Sequence, residues 1–263
     1  MFKSLLESTE FSKIKKNLNT NDQKGCFDRL ISMIKERSYE ESIDLINDIV
    51  KDNKLKFILS LGFGGKFSDL KVKMSRKIIN ANSLLPTQKE IDFDKTIYHF
   101  SPEHVTLAFS DSVKIISPIV TFKGTFIIDG HHRWSEMYAL NKEAKMECID
   151  IDCDISPINL LKTLQCTIGT NLGKLVSREV KGKNLFDMTQ SQIETRIRST
   201  ISSDLYYALS IHYQDPERSI INNLIDLKLG NVPLQNAPNR GYMPQITEDP
   251  KLFSDLNKGV TEL

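Results

Sequence analysis

Residues 125–141 of this chain read TFIIDGHHRWSEMYALN and decide its fold. The apolar residues up to Ile128 predict a β-strand, and residues 131–140 predict a helix that Asn141 closes. Gly130 lies between the two and tolerates backbone conformations that other residues resist. The stretch therefore predicts a strand that turns directly into a helix.

Further strands are expected around this turn. Residues 115–122 form a β-rich run, and Lys123-Gly124 separates it from the strand before the helix, which is typical of a hairpin. Residues 145–152 alternate polar and apolar side chains, as a half-buried strand does. The runs 72–75 and 77–80 look like two more short strands. The pattern predicts a small mixed-sheet core of the α+β class.

Helical patterns flank this core on both sides, with apolar residues recurring at spacings of three and four. Within the central helix, Trp134 and Tyr138 are expected on the face that packs against the sheet. Prolines and glycines after Gly230 predict an arm or linker without regular structure. We expect four regions in chain order: an N-terminal helical region (1–70), a mixed-sheet core (71–155), a C-terminal helical region (156–230) and a proline-rich tail (231–263).

Composition narrows the functional classes. Lys plus Arg number 35 and Asp plus Glu 34, so the chain lacks the polycationic field that drives non-specific nucleic-acid binding. No signal-peptide core or membrane-length apolar run is present, which predicts a soluble, cytoplasmic protein with no membrane partner. The four cysteines show no zinc-type spacing and are expected to be buried thiols. Frequent Lys, Asn and Ile fit an AT-rich bacterium or its bacteriophage.

The turn itself is the strongest candidate for a binding site. A helix aims its first N–H groups at one spot, which attracts anions, but a helix end contributes only about 0.3–1 kcal/mol. Tight phosphate binding needs added donors, and His132 and Arg133 are placed to supply them. The plainer alternative is a polar loop with a surface cation. Zinc is a third reading, although the partner histidine four residues on is absent.

These residues resemble the core of the ParB/sulfiredoxin superfamily. The turn Asp129-Gly130-His131-His132-Arg133 stands where ParB proteins read G-E-R-R, sulfiredoxins G-C-H-R and free serine kinases of this fold D-G-H-H-R. Pro118-Ile119-Val120 and Ala139-Leu140-Asn141 also fit, and Leu85-Pro86-Thr87-Gln88 is similar to the P-x-Q that opens the ParB domain. The resemblance spans about residues 71–154 and is strongest to the kinase form.

The resemblance implies a nucleotide site around the turn. Gly130, His132 and Arg133 would contact phosphates, and Asp129 would lie beside them to orient a base or a metal. The nucleotide would be ATP or CTP, with Mg²⁺ carried in by it rather than held in a separate metal site. The predicted nucleotide-binding residues are Gly130, His131, His132, Arg133 and Gln88, and the predicted catalytic residues are Asp129, Glu90 and His131. We expect the start of the helix to face an accessible pocket near Gln88 and Glu90.

Positions at which this sequence differs from the family motifs argue against some of the family's activities. His131 replaces the catalytic cysteine of sulfiredoxin, so sulfinic acid reduction is not expected. Gln88 stands where the kinases carry a carboxylate, and Glu90 and Asp92 follow just beyond it; Glu90 is the candidate base. The segment after Asp154 lacks the ParB box and a recognition helix, so centromere clamping is not expected.

Three functions remain open. The first is ATP- or CTP-dependent phosphoryl chemistry, as a phosphohydrolase or small-molecule kinase, in which the turn stabilises charge on the transferred phosphate. The second is a non-catalytic module, nucleotide-gated or DNA-associated, whose helical flanks and tail engage protein partners. The third is a phage-encoded virion or assembly protein that keeps the fold without catalysis. A nuclease is not expected, because no carboxylate cluster with metal-site spacing appears.

Overall fold

A computed structural model describes residues 13–14, 16–17, 22–63, 66–67, 70–111, 118–173 and 182–258. The chain forms two compact units, each assembled from separate stretches of sequence. The first comprises Met1–Met74, Asp152–Arg178 and Gly241–Leu263, and the second Ser75–Ile151 and Glu179–Arg240. The turn that decides the fold belongs to the second unit.

The fold is α+β, as predicted, with a five-stranded mixed sheet. The strands are β1 (Lys73–Asn80), β2 (Leu85–Pro86), β3 (Ile119–Phe122), β4 (Phe126–Asp129) and β5 (Lys145–Asp152). Their order in the sheet is β1-β5-β3-β4-β2. β3 pairs antiparallel with β4, whereas β2 with β4 and β3 with β5 are parallel. β5 has its predicted bounds, and the runs 72–75 and 77–80 form one strand because no breaker separates them. The start of the run 115–122 lies outside the described residues.

The predicted hairpin between β3 and β4 is confirmed. Lys123 and Gly124 both have positive φ, 51° and 65°, and Thr125 N donates to Phe122 O at 3.1 Å, which is the pattern of a type I′ turn. A buried carboxylate on β5 holds this turn: Asp150 Oδ1 accepts hydrogen bonds from Gly124 N at 2.7 Å and Thr121 Oγ1 at 2.8 Å. Lys77 Nζ lies 2.5 Å from Asp150 Oδ2. These contacts fix the hairpin turn and therefore the direction in which β4 runs.

The helix after β4 is also confirmed, and the second unit packs around it. Its helices are α4 (Phe93–Tyr98), α5 (Pro102–Ala108), α6 (His131–Leu140), α8 (Gln190–Thr200), α9 (Ser203–Ser210) and α10 (Pro216–Gly230). α6 contacts β3, α4, α5 and α10. Trp134 and Tyr138 are buried and in edge contact with ring centroids 5.8 Å apart, and Trp134 Nε1 donates to Ala81 O at 2.8 Å. The position of α6 is thus set by its own apolar face.

The first unit is built from α1 (Gln23–Glu36), α2 (Tyr39–Lys51), α3 (Asn53–Phe63), α7 (Pro157–Leu172) and α11 (Pro250–Lys258). Buried Lys162 on α7 donates to the carbonyls of Ile34 at 3.1 Å and Arg37 at 2.6 Å, and so caps the end of α1. α2 and α7 contact each other along their apolar faces. Within the described residues, no helix is long and apolar enough to cross a membrane.

The prediction that the tail lacks regular structure is wrong for its second half. Short 3₁₀ turns form at Arg240–Tyr242 and Ile246–Glu248, and α11 follows. Pro250 was read as a breaker, but it stands at the first helical position, where its missing N–H costs nothing. Asp249 Oδ1 accepts from Lys251 N at 3.1 Å and Leu252 N at 3.0 Å, which caps the helix.

Candidate functional site

The turn from β4 into α6 is made by one residue. Gly130 has φ 95° and ψ 23°, the left-handed conformation, and stands at the N-cap position of α6. Gly130 itself has no side chain with which to cap the first turn of α6. Asp129 Oδ1 instead accepts from Gly130 N at 2.7 Å, just before the helix begins. The sequence correctly predicted this strand–glycine–helix order.

Arg133 folds back over this glycine. A Cβ built on Gly130 would lie 2.9 Å from Arg133 Nη2 and 3.2 Å from Arg133 Nε, so the guanidinium occupies the space that a side chain would need. Arg133 Nη2 is 4.0 Å from Asp129 Oδ1, and its side chain is 24% exposed. Burial lowers the pKa of Arg133 and Asp129 opposes that shift, yet a guanidinium keeps its charge in proteins. A permanent cation therefore lies at the start of α6.

His131 faces inward. It is only 4% exposed, and its Nε2 accepts a hydrogen bond from Thr87 N at 3.1 Å. Thr87 Oγ1 in turn donates to Ile127 O on β4. Burial holds the pKa of His131 well below its usual value, so the ring is neutral and carries its proton on Nδ1. The ring ties the loop after β2 to α6. Its predicted catalytic and ligand roles stay predictions, and these contacts favour a positioning role.

His132 joins α6 to the start of α4. Its Nε2 accepts from Asp92 N at 3.3 Å. Burial, followed by the charges of Lys95 and Arg240, lowers the pKa of His132 to about 4, Arg133 adds to the shift, and Asp92 opposes it. The ring is neutral at pH 7 and, with Nε2 accepting, its proton is on Nδ1. Three cationic side chains therefore act electrostatically on an uncharged imidazole.

Asp92 organises this cluster, although the sequence indicated it only as a carboxylate beyond Gln88 and not as a site residue. The Asp92 carboxylate is 3% exposed; its Oδ2 lies 2.6 Å from Arg240 Nη1, and its Oδ1 accepts from Lys95 N at 3.0 Å and caps α4. A Cβ on Gly182 would lie 2.5 Å from Asp92 Oδ2, so only glycine fits against this carboxylate. Asp92 precedes the apolar Phe93 as an N-cap residue should, and that signal could have identified it. Arg240 had no such signal, because the tail around it shows no periodicity.

Gln88 and Glu90 lie close to the turn through this same loop. Gln88 is 2% exposed and its Nε2 donates to Glu90 O at 2.7 Å. Glu90 Oε2 accepts from Arg240 N at 3.3 Å. The structure thus brings the loop of residues 87–92 onto residues 131–132, as the predicted site requires. The predicted roles of Gln88 and Glu90, and the pocket beside them, stay predictions.

Two more polar side chains of α6, Ser135 and Glu136, contact neighbouring helices one turn further along. Thr96 Oγ1 and Ser135 Oγ are 2.8 Å apart, and Ser135 Oγ donates to His132 O at 3.1 Å. Glu136 is buried, and its Oε1 pairs with His104 Nδ1 on α5. Burial raises the pKa of Glu136, whereas His104 and then His99 act in the opposite direction. These contacts fix α4 and α5 against α6.

The site defines an α+β protein with a cationic strand-to-helix turn. No family model, no curated protein and no solved structure matches the chain. The ParB/sulfiredoxin resemblance therefore stays a prediction from the motif residues. No group of three or more His, Cys, Asp or Glu side chains that could hold a metal occurs in the described ranges, so the zinc reading gains no support.

Proposed function

We propose that this chain binds the phosphates of ATP or CTP at the turn between β4 and α6. With Mg²⁺ carried in by the nucleotide, the proposed activity is that of a phosphohydrolase or small-molecule kinase of the ParB/sulfiredoxin-like type. The proposal includes a cytoplasmic location, where such nucleotides are used, and protein partners on the helical flanks. DNA is not favoured as the ligand, because the net charge of +1 gives no polycationic field.

One observation carries the proposal: the Arg133 guanidinium covers Gly130, the glycine at the N-cap position of α6. Backbone N–H groups and a permanent cation are thereby directed to the same place. The helix end alone contributes about 0.3–1 kcal/mol to an anion, and a charge-assisted hydrogen bond adds about 1.5–3 kcal/mol. The two together suit a phosphate, whose oxygens accept several hydrogen bonds and match the arginine fork.

The carboxylates beside the turn have different proposed roles. Asp129 lies next to Gly130 and Arg133, which fits a residue that orients the base or the magnesium of a nucleotide. Glu90 is the proposed base, although its Oε2 also accepts from Arg240 N. His131 is proposed to hold the loop of Thr87 in place. Phosphate transfer needs mainly positioning and charge stabilisation, which this set of groups supplies.

Arg133→Ala tests the proposal by calorimetric titration with ATP and CTP in the presence of Mg²⁺. Losing one charge-assisted contact should weaken affinity by roughly tenfold to over a hundredfold. Arg76→Ala is the matched control, because Arg76 forms an exposed ion pair with Glu147 at 3.0 Å elsewhere on the sheet. Circular dichroism checks that each variant folds. Unchanged affinity in a folded Arg133→Ala protein would remove the turn as the phosphate site.

Two assays distinguish an enzyme from a non-catalytic nucleotide-binding module. One measures the release of phosphate from ATP or CTP, and the other measures phosphate transfer to small hydroxyl compounds. Nucleotide bound by the wild type but neither hydrolysed nor transferred would favour the non-catalytic alternative. Arg133→Ala should lower both binding and turnover if the turn serves the reaction.

A further inference from the structure

We infer that Arg240 is a phosphate-binding arginine that Asp92 holds in the ligand-free protein and releases to the terminal phosphate of a bound polyphosphate. This inference rests on the proposed function and extends it to a ligand class, nucleoside di- and triphosphates in preference to monophosphates. Arg240 lies far outside the stretch that resembles the ParB/sulfiredoxin core.

The position of Arg240 follows from Asp92, which contacts both Arg240 and the turn. Arg240 Nη1 lies 2.6 Å from Asp92 Oδ2, and the two side chains are 12% and 3% exposed. The backbone N–H of Asp92 donates to His132 Nε2 at 3.3 Å. One residue therefore links the guanidinium of Arg240 to the second residue of α6.

The charges around His132 favour an extended anion. Arg240 pairs with Asp92, whose N–H donates to His132 Nε2; Lys95 lies in the first turn of α4, which Asp92 caps, and Arg133 follows His132 on α6. An anion placed among them is attracted by all three. Each additional phosphoryl group adds charge and acceptor oxygens, so a triphosphate gains from more of these cations than a monophosphate does.

A purely structural role for the Arg240 side chain is the plainer alternative. The segment that carries it is already attached by two backbone contacts, Lys89 N to Pro238 O at 2.9 Å and Arg240 N to Glu90 Oε2 at 3.3 Å. A buried ion pair adds little net stability, because desolvation offsets much of the attraction. The attachment of this segment therefore does not depend on the ion pair alone, which allows the Arg240 guanidinium a second, ligand-binding role.

The exchange is chemically balanced without any covalent step. When the guanidinium moves to a phosphate, the Asp92 carboxylate keeps the hydrogen bond from Lys95 N that caps α4. Arginine presents five N–H donors in a planar fork, which suits a phosphate as well as a carboxylate. Asp92 thus competes with the ligand for Arg240.

Calorimetric titrations with the ATP, ADP, AMP and CTP, CDP, CMP series and Mg²⁺ test this competition. Arg240→Met should lose about tenfold to a hundredfold in affinity for triphosphates and much less for monophosphates. Arg240→Lys, which keeps the charge but not the fork, should lose less. Asp92→Asn should bind triphosphates several-fold more tightly, since asparagine still caps α4 but no longer holds Arg240 by charge. Arg76→Met is the control for loss of an arginine.

The outcomes separate the two proposals. A wild type that binds none of these nucleotides, or a folded Arg133→Ala variant with full affinity, overturns the proposed function and this inference with it. Loss of binding in Arg133→Ala together with unchanged affinity in Arg240→Met overturns the inference alone. Equal losses for mono- and triphosphates in Arg240→Met, or weaker triphosphate binding in Asp92→Asn, also overturn it, because a merely structural ion pair predicts those results.

Discussion

His132 shows how burial changes the chemistry expected of a single residue. From the sequence alone, a histidine beside Arg133 gains charge as the pH falls, which predicts a contrast between the His132→Ala and Arg133→Ala variants that grows with pH. In the folded protein the pKa of His132 lies at about 4, because burial and then Lys95 and Arg240 disfavour the charged ring. The imidazole is therefore neutral from pH 6 upward.

His132→Ala should accordingly weaken ATP or CTP binding by a constant factor between pH 6 and 8, of up to about tenfold, which is the loss of one neutral hydrogen bond. Titrations at pH 6, 7 and 8 with wild type and variant measure this factor. Arg133→Ala serves as the comparison and should show the larger loss at each pH. A wild-type affinity that fell steeply between pH 6 and 7, with no such fall in His132→Ala, would contradict the pKa of about 4.

At the scale of elements, the contact between α5 and α6 depends on protons. Glu136 is buried on α6 and pairs with His104 on α5, and His99 is the other side chain that acts on the pKa of Glu136. Burial raises the folded-state pKa of Glu136 above its unfolded value. A raised carboxyl pKa contributes stability that is complete below the unfolded pKa and is lost as the pH rises through the folded pKa.

Glu136→Gln removes this dependence, because glutamine can still accept from His104 but cannot ionise. The free energy of unfolding of the wild type, relative to Glu136→Gln, should therefore decline as the pH rises from 4 to 8. Urea unfolding followed by Trp134 fluorescence measures it. Glu143→Gln is the control: Glu143 is exposed and accepts from Asn82 Nδ2 at 2.8 Å, so its substitution should leave the pH profile unchanged. A wild-type profile that runs parallel to that of Glu136→Gln would show that Glu136 does not titrate on unfolding.

At the scale of the whole molecule, the sequence predicted the features that neighbouring residues form and not those that join distant segments. The β3–β4 hairpin, Gly130 and α6 follow one another along the chain, so turn residues and apolar spacing were enough to predict them. The sheet order and the link from Asp92 to Arg240 join segments far apart in sequence, and no local pattern encodes such pairings. The sequence pattern did not predict α11, because a proline usually ends regular structure. Pro250 instead begins the helix. The predicted division of the chain into four regions stays a prediction. The structure groups the chain into two units, each assembled from separate stretches of sequence.

Global stability offers the last test, because a ligand that binds only the folded chain must stabilise it. ATP or CTP with Mg²⁺ at about 100 times the dissociation constant should raise the free energy of unfolding by about 2.7 kcal/mol. If Arg133→Ala weakens affinity about a hundredfold, the same ligand concentration should raise it by only about 0.4 kcal/mol. Thermal unfolding of both proteins with ATP, CTP, ADP and GTP measures the difference, and Arg76→Ala should respond as the wild type does. Equal stabilisation of wild type and Arg133→Ala would place the nucleotide away from Gly130 and the start of α6.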